Sequence, residues 1–223
     1  ARRRNALFDI NGLVVTSRSD LAAFQTPFAQ DRAPIATFVE AVKELRPSGI
    51  IGVSTVPKLF THGVIQAMAT INQRPIIFPY SNPTSRSECT AEEAYRWSEG
   101  RAVFASGSPF PPVEIAGRRF VPGQGNNVYI FPAMGMAVFA TQATRVTEDM
   151  FIVAAQAVAE QVTEQDLAMG LIYPPQSHIL DASLHVAERI ATCIFDKGLA
   201  RVSRPDDVGA LVRDHVYRPL YPA

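Results

Sequence analysis

In the first half of the chain, short apolar runs bounded by turn residues alternate with segments whose apolar positions recur every three or four residues. The runs are "ALFDI" (Ala6 to Ile10), "GIIGVS" (Gly49 to Ser54), "PIIFPYS" (Pro75 to Ser81) and "AVFAS" (Ala102 to Ser106), and each reads as a buried strand. Between the first two, Ile35, Phe38, Val39, Val42 and Leu45 share one helical face that ends at Pro47; between the second and third, Val64, Ile65, Met68 and Ile71 do the same. Thr90 followed by Glu93 predicts a capping box opening "AEEAYRWSEG", a helix closed by Gly100. Strand alternating with helix makes an α/β fold with a parallel sheet the default.

After Ser106 the pattern changes. "VEIAGRRFV" alternates around Ala116-Gly117 as a hairpin does, and from Asn127 onward the chain reads as helical. Thr147 is placed to cap "EDMFIVAAQAVAEQV", Gly170 and Gly198 stand where helix ends want a left-handed residue, and Pro205 is placed to open a last helix. The break near Asn126 reads as a change of layer within one body.

Composition narrows the function classes. The chain has 223 residues, 47% of them hydrophobic and 19% charged, enough to bury a sizeable core. Lys+Arg and Asp+Glu both number 21, so there is no global charge to drive binding to nucleic acid or to anionic lipid. No apolar run reaches the roughly 18 residues of a membrane span; the longest candidate, "VYIFPAMGMAVFA", is broken by Pro132 and Gly135, which predicts a soluble protein. Two cysteines, Cys89 and Cys193, make neither a disulfide framework nor a zinc pattern. The start, Ala-Arg-Arg-Arg, lacks the apolar core of a secretory signal and reads as a cut, not a leader.

Ligands of open parallel sheets bind beyond the carboxyl ends of the strands. The residues there are Asp9, Ser54, Asn82 and the Ser106-Gly107-Ser108 turn. A carboxylate such as Asp9, followed by Ile10-Asn11-Gly12, can accept both hydroxyls of an adenosine ribose; a turn-forming Asp before a glycine is the alternative. Asn82 is pushed out of helical geometry by Pro83, and an Asx-type turn is its alternative. In "PGQGNN" (Pro122 to Asn127), the glycines permit close backbone approach, and the amides of Asn126 and Asn127 suit a carboxylate ligand held without being neutralised, or else a satisfied structural bend. The histidines, His62, His178, His185 and His215, show no metal-ligand spacing, and the Ser106–Ser108 turn lacks a nucleophile elbow.

Taken in order, "FDINGLV", "RPSGIIGVS", "RPIIFPYSNPTSRSECTAEEAY", "GRAVFASGSPFPPV", "PGQGNNVYIFP" and "GLIYPP" closely resemble the distal part of the malic enzyme family, over nearly the whole chain. The resemblance implies oxidative decarboxylation of malate to pyruvate with NAD or NADP and with Mg²⁺ or Mn²⁺. It implies a partial doubly wound, Rossmann-like sheet lacking its first strand, with residues 1–126 as the distal part of the dinucleotide-binding domain. Residues 127–223 then form a C-terminal helical layer packed on it. Asp9 resembles the acid that reads the adenosine ribose, Val53 and Ser54 lie near the cofactor, and Asn82 resembles the asparagine beside nicotinamide and substrate. Asn126 and Asn127 resemble the pair that binds malate.

Where family members often carry a glycine-rich run, this chain has Gly52-Val53-Ser54-Thr55-Val56-Pro57. Gln25 stands where users of the phosphorylated cofactor tend to carry lysine, and Asp9 is followed by Ile10 and Asn11, not by a cation. A 2′-phosphate would then meet Asp9 uncompensated, so NAD is expected over NADP. By the resemblance, the first strand with its G-x-G-x-x-G turn, the tyrosine and lysine acid-base pair and the acidic metal ligands belong to an upstream part. The chain alone is therefore expected to be catalytically silent, with no metal site and no catalytic residue of its own. The expected partners are malate or pyruvate, the upstream part and further copies of the protein, with the cytoplasm favoured over an organellar matrix. A non-catalytic binding module for NAD or a dicarboxylate, and an inactive folded remnant, are the rival readings.

Overall fold

The computed structural model describes residues 4–216; the start Ala1 to Arg3 and the last residues, from 217, lie outside that description. The chain divides into two compact units, Ala1–Gln124 and Gly125–Ala223.

The first unit is built on a four-stranded parallel sheet. Its strands are β3 (Gly49–Gly52), β4 (Ile76–Pro79), β5 (Val103–Ser106) and β8 (Gly123–Gln124), in that spatial order. The connecting helices are α2 (His62–Ile71) and α3 (Ala91–Trp97), and α1 (Phe38–Leu45) precedes β3. Local sequence sets their ends. The Thr37 hydroxyl accepts the Glu40 N–H to start α1, and Arg46 in a left-handed conformation stops it before Pro47. Thr61 caps α2 through the Val64 N–H. Thr90 and Glu93 form the reciprocal capping box of α3.

Ile50, Ile77 and Phe104, one on each of three adjacent strands, join Val42, Val64, Ile65, Met68 and Tyr95 from the helices in one buried cluster. Period-two alternation sends Ile51 and Val53 to the other face, where they are 62% and 74% exposed. "GIIGVS" is thus buried on one side only, a correction to its reading as a buried strand, because β3 is an edge strand of this sheet. "VEIAGRRFV" is the expected hairpin: β6 (Val113–Ile115) and β7 (Arg118–Phe120) pair antiparallel across Ala116-Gly117.

"ALFDI" departs further. Only Phe8–Asp9 is extended (β1), and it pairs antiparallel with Gly12–Leu13 (β2) in a hairpin separate from the parallel sheet. The hairpin docks where the Leu13 N–H donates to the Ile35 carbonyl and the Phe8 ring meets Phe38, 5.2 Å away.

Inside the main cluster the Tyr95 ring stacks on Phe120, 4.5 Å away, but its hydroxyl is buried without a partner among the described residues, and burial pushes its pKa up. A buried hydroxyl with no hydrogen bond costs about 1 kcal/mol or more. Tyr95→Phe is therefore expected to raise the unfolding free energy by about 1 kcal/mol, read from the denaturant midpoint at unchanged slope.

The second unit is helical: α4 (Phe131–Thr141), α5 (Glu148–Ala159), α6 (Glu164–Ala168), α7 (Ile179–Asp196) and α8 (Val208–Asp214). Against α7 pack α4, α5 and α8. The buried stripe of α7 runs from Ala182 with the three-to-four spacing of a helix face, and its Val186, Ala187, Ile190, Ala191 and Ile194 meet Ala133, Ala137, Met150 and Ala154 in one cluster. Gly170 and Gly198 take the expected left-handed conformation. Two local expectations fail. Thr147 precedes α5, but its hydroxyl makes no cap bond and is buried unpaired among the described residues. Pro205 does not open α8; Asp207 does, by accepting the Ala210 N–H at 2.7 Å. No helix among the described residues is long and apolar enough to cross a membrane.

Candidate functional site

The carboxyl tips of β3, β4 and β5 carry the candidate residues of the first unit. At the tip of β3, Val53 and Ser54 are exposed. The next loop holds two non-glycine residues in left-handed conformation, Thr55 (φ 58) and Lys58 (φ 60). At the tip of β4, Asn82 is exposed and its peptide bond to Pro83 is cis. The Ser108 hydroxyl donates to Asn82 Oδ1 at 2.6 Å, and the Ser106 hydroxyl donates to the Ser108 carbonyl at 2.8 Å. Among the described residues, Asn82 Nδ2 has a single long contact, 3.5 Å, with the Tyr80 carbonyl. The amide thus has its acceptor occupied and its donor side turned to a weak partner, an arrangement able to donate to an incoming carbonyl or carboxylate oxygen.

Beneath these exposed groups lies a residue that sequence reasoning passed over. Glu88 is 0% exposed, and its carboxylate accepts from the backbone N–H and hydroxyl of both Ser54 and Ser81. The signal in the sequence is slight: one acid within "SECT", with its partners 34 and 7 positions away.

Asp9 sits in a different network. Arg18 Nη1 donates to Asp9 Oδ1 at 2.9 Å and Nη2 to Oδ2 at 3.0 Å, while Nε and Nη2 of the same guanidinium donate to Asp20. Gln25 Nε2 and the Asn11 N–H also donate to Asp9, at 3.0 and 2.9 Å. Hydrogen bonding from Arg18 holds the Asp9 carboxyl below the usual range, against the opposing effect of partial burial. Asp20 is lowered by the same guanidinium, and Arg18 is raised by Asp20 first and Asp9 second.

The expectation of an uncompensated Asp9 is therefore corrected. The cation is absent at Ile10 and Asn11 but returns nine positions along the chain, at Arg18, because the hairpin and the turn after it fold back. A row of rings, Phe8, Phe38 and Phe60 at centroid separations of 5.2 and 5.7 Å, leads from this hairpin to the loop after β3. The Phe60 N–H donates to the Glu88 carbonyl.

Asn126 and Asn127 belong to the second unit and are exposed. Asn126 Oδ1 accepts the Val128 N–H at 2.9 Å and so caps the 3₁₀ turn Asn127–Tyr129. The structural-bend reading thus accounts for the Asn126 oxygen, while the Asn127 side chain makes no hydrogen bond among the described residues. The turn is anchored by Tyr129, whose ring stacks on Tyr173 at 5.5 Å and whose hydroxyl donates to the Pro174 carbonyl. Among the described residues no group of three or more His, Cys, Asp or Glu side chains could hold a metal ion. The donor set needed for Mg²⁺ or Mn²⁺ does not fit these residues.

A family model described as malic enzyme, NAD binding domain, matches residues 1–195. The chain belongs to the malic enzyme family. It is 47% identical over 222 residues to the NADP-dependent malic enzyme of Vitis vinifera, a match covering 99% of this chain and 38% of that protein. A chloroplastic NADP-dependent malic enzyme of Oryza sativa subsp. japonica is 47% identical, with 99% and 35% covered. NADP-dependent malic enzyme 3 of Arabidopsis thaliana is 45% identical, with 99% and 38% covered. The chain spans little more than a third of the length of these malic enzymes.

Among solved structures, the malic enzyme of Entamoeba histolytica aligns with a TM-score of 0.72 at 22% identity, over 94% of this chain and 41% of that one. The malic enzyme of Pyrococcus horikoshii Ot3 aligns at 0.58 and 24% identity, over 78% and 35%. These two likenesses carry the fold: the parallel sheet with its helices is the Rossmann-like architecture of a malic enzyme dinucleotide-binding domain.

Proposed function

We propose that this chain is the dinucleotide- and substrate-facing portion of a malic enzyme, and that the complete protein oxidatively decarboxylates malate to pyruvate with reduction of NADP. The observation that carries the reading is the placement of Asp9, Ser54 and Asn82 in a chain that belongs to this family: a carboxylate whose donors, Arg18, Gln25 and the Asn11 N–H, are ones that ribose hydroxyls could replace, and polar groups exposed at adjacent strand tips. Asp9 is assigned to the ribose, Val53 and Ser54 to the cofactor, Asn82 to nicotinamide and substrate, and Asn126 with Asn127 to the malate carboxylate. The metal and the acid-base groups are assigned to the remainder of the protein. The open edge of β3 is the place where a further strand of that protein would add to the sheet.

NADP is favoured over NAD by the names of the relatives and by Arg18, which offers the positive charge that a 2′-phosphate requires. NAD is the second reading, favoured by the surplus of two carboxylates over one guanidinium in the same cluster and by the neutral Gln25. Several relatives are named chloroplastic, so an organellar matrix replaces the cytoplasm as the favoured compartment.

Calorimetric titration of the chain and of Asp9→Ala with both dinucleotides tests this. NADP is expected to bind more tightly than NAD. In Asp9→Ala, NAD is expected to bind about tenfold more weakly, as a charged hydrogen bond to the ribose is lost, while NADP keeps its affinity because Arg18, still paired with Asp20, loses one of its two carboxylates and can turn Nη1 to the phosphate. No heat with either dinucleotide at millimolar concentration would refute the binding role and favour the remnant.

A further inference from the structure

The four hydrogen bonds to Glu88 do more than satisfy a buried acid. Oε1 accepts from the Ser54 N–H at 3.0 Å, the Ser54 hydroxyl at 2.9 Å and the Ser81 hydroxyl at 2.5 Å, and Oε2 accepts from the Ser81 N–H at 3.4 Å. Each hydroxyl, having donated to the carboxylate, accepts in turn from the loop after β3: Ser81 Oγ from the Thr55 N–H at 2.8 Å, and Ser54 Oγ from the Val56 N–H at 3.1 Å. Two carbonyls of the Glu88 segment continue the seam, Ser87 accepting from the Lys58 N–H and Glu88 from the Phe60 N–H. The pinned loop is the one with left-handed Thr55 and Lys58, a conformation that non-glycine residues keep only when their surroundings enforce it. The pinning segment begins at Ser81, directly before Asn82.

We infer that Glu88 is a positioning residue that locks the loop after β3 and the Asn82 turn into one rigid surface, so that a dinucleotide meets Val53, Ser54 and Asn82 already in place. The inference rests on the assignment of those residues in the preceding subsection. Its physical basis is acceptor count: carboxyl oxygens accept, and four donors from two strand tips converge on this pair. Alanine at position 88 releases all four. Glutamine keeps a carbonyl oxygen where three of them point and places its NH₂ toward the longest contact, that of the Ser81 N–H. The two variants therefore separate the latch from the mere filling of space.

The experiment measures two quantities on the wild-type chain, Glu88→Gln and Glu88→Ala, at a temperature where all are folded. One is the dinucleotide dissociation constant by calorimetry; the other is amide hydrogen exchange at Thr55 and Val56. Glu88→Ala is expected to weaken binding about tenfold and to speed exchange at both amides by about tenfold or more, with Glu88→Gln within about threefold of wild type. Should Glu88→Ala fail to fold, Ser81→Ala stands in, because it removes the hydroxyl that links the Glu88 carboxylate to the Thr55 N–H while leaving the Ser54 donors in place. A lowered melting temperature with dissociation constant and loop exchange unchanged means a purely structural carboxylate and overturns the inference. A wild-type chain that takes up no dinucleotide sinks the preceding assignment instead, and unchanged exchange in the alanine variant would then sink the latch as well.

Discussion

Replacing Gly12 by alanine is expected to lower the unfolding free energy by about 3 kcal/mol, from two separate penalties. Gly12 has φ +99, outside the conformations an L side chain takes readily, and a Cβ built there would stand 2.5 Å from the Ile35 carbonyl oxygen and 3.3 Å from the Ala36 Cα. The neighbour cannot retreat, since the Ile35 oxygen already accepts the Leu13 N–H and sets the hairpin against the segment leading into α1. The gain from a stiffer unfolded chain, about 0.4 to 1 kcal/mol, offsets only a part. Asp9 lies opposite Gly12 in the register of β1 and β2, so the damage should also reach the carboxylate proposed to read the ribose. Denaturant unfolding checks the first consequence and cofactor titration the second; a loss below about 1 kcal/mol would mean the hairpin adapts without cost.

A comparable loss, again about 3 kcal/mol, is expected of Gly107→Ala, for a steric reason alone. A Cβ at this position would overlap the Tyr80 carbonyl oxygen and stand 2.8 Å from Asn82 Nδ2. Gly107 is fixed on both sides, its N–H donating to the Pro79 carbonyl and its own carbonyl accepting from Gln124 Nε2. Either the tip of β5 or that of β4 must move. Movement of β4 breaks the Ser108 bond to Asn82 and swings the amide from the place assigned to nicotinamide and substrate. Weaker dinucleotide uptake should therefore accompany the lowered stability. Retained affinity in a clearly destabilised variant would mean that the tip of β5 yields and Asn82 keeps its place.

The elements legible from sequence are those whose signals are local. The apolar face of α1 and its stop before Pro47, the Thr90–Glu93 box of α3 and the turn of the β6–β7 hairpin each involve residues within a few positions of one another. The same holds for the candidate strand tips, since "SNPT" and "PGQGNN" carry their turn chemistry in adjacent residues. Local reading failed where the residue type fitted but another pairing or packing won. "ALFDI" has the composition of a sheet strand, yet it pairs with the residues directly after it in a hairpin apart from the parallel sheet. Thr147 is a good cap by type, but packing leaves its hydroxyl unpaired among the described residues. Pro205 is a good first residue, but Asp207, two positions on, offers the side-chain acceptor that starts the helix.

By itself, then, the order of residues determined the alternation of strand and helix, the helix ends, the family and the polar groups presented at strand tips, because hydrophobic period, capping and turn preference act over a turn or two of chain. Only the tertiary structure decided which charges meet. Arg18 reaches Asp9 across nine positions, and Glu88 gathers Ser54 and Ser81 across 34 and 7. The reason is that an ion pair or a buried acceptor depends on where the backbone returns in space, and a carboxylate in "SECT" carries no mark of the donors that folding will bring to it.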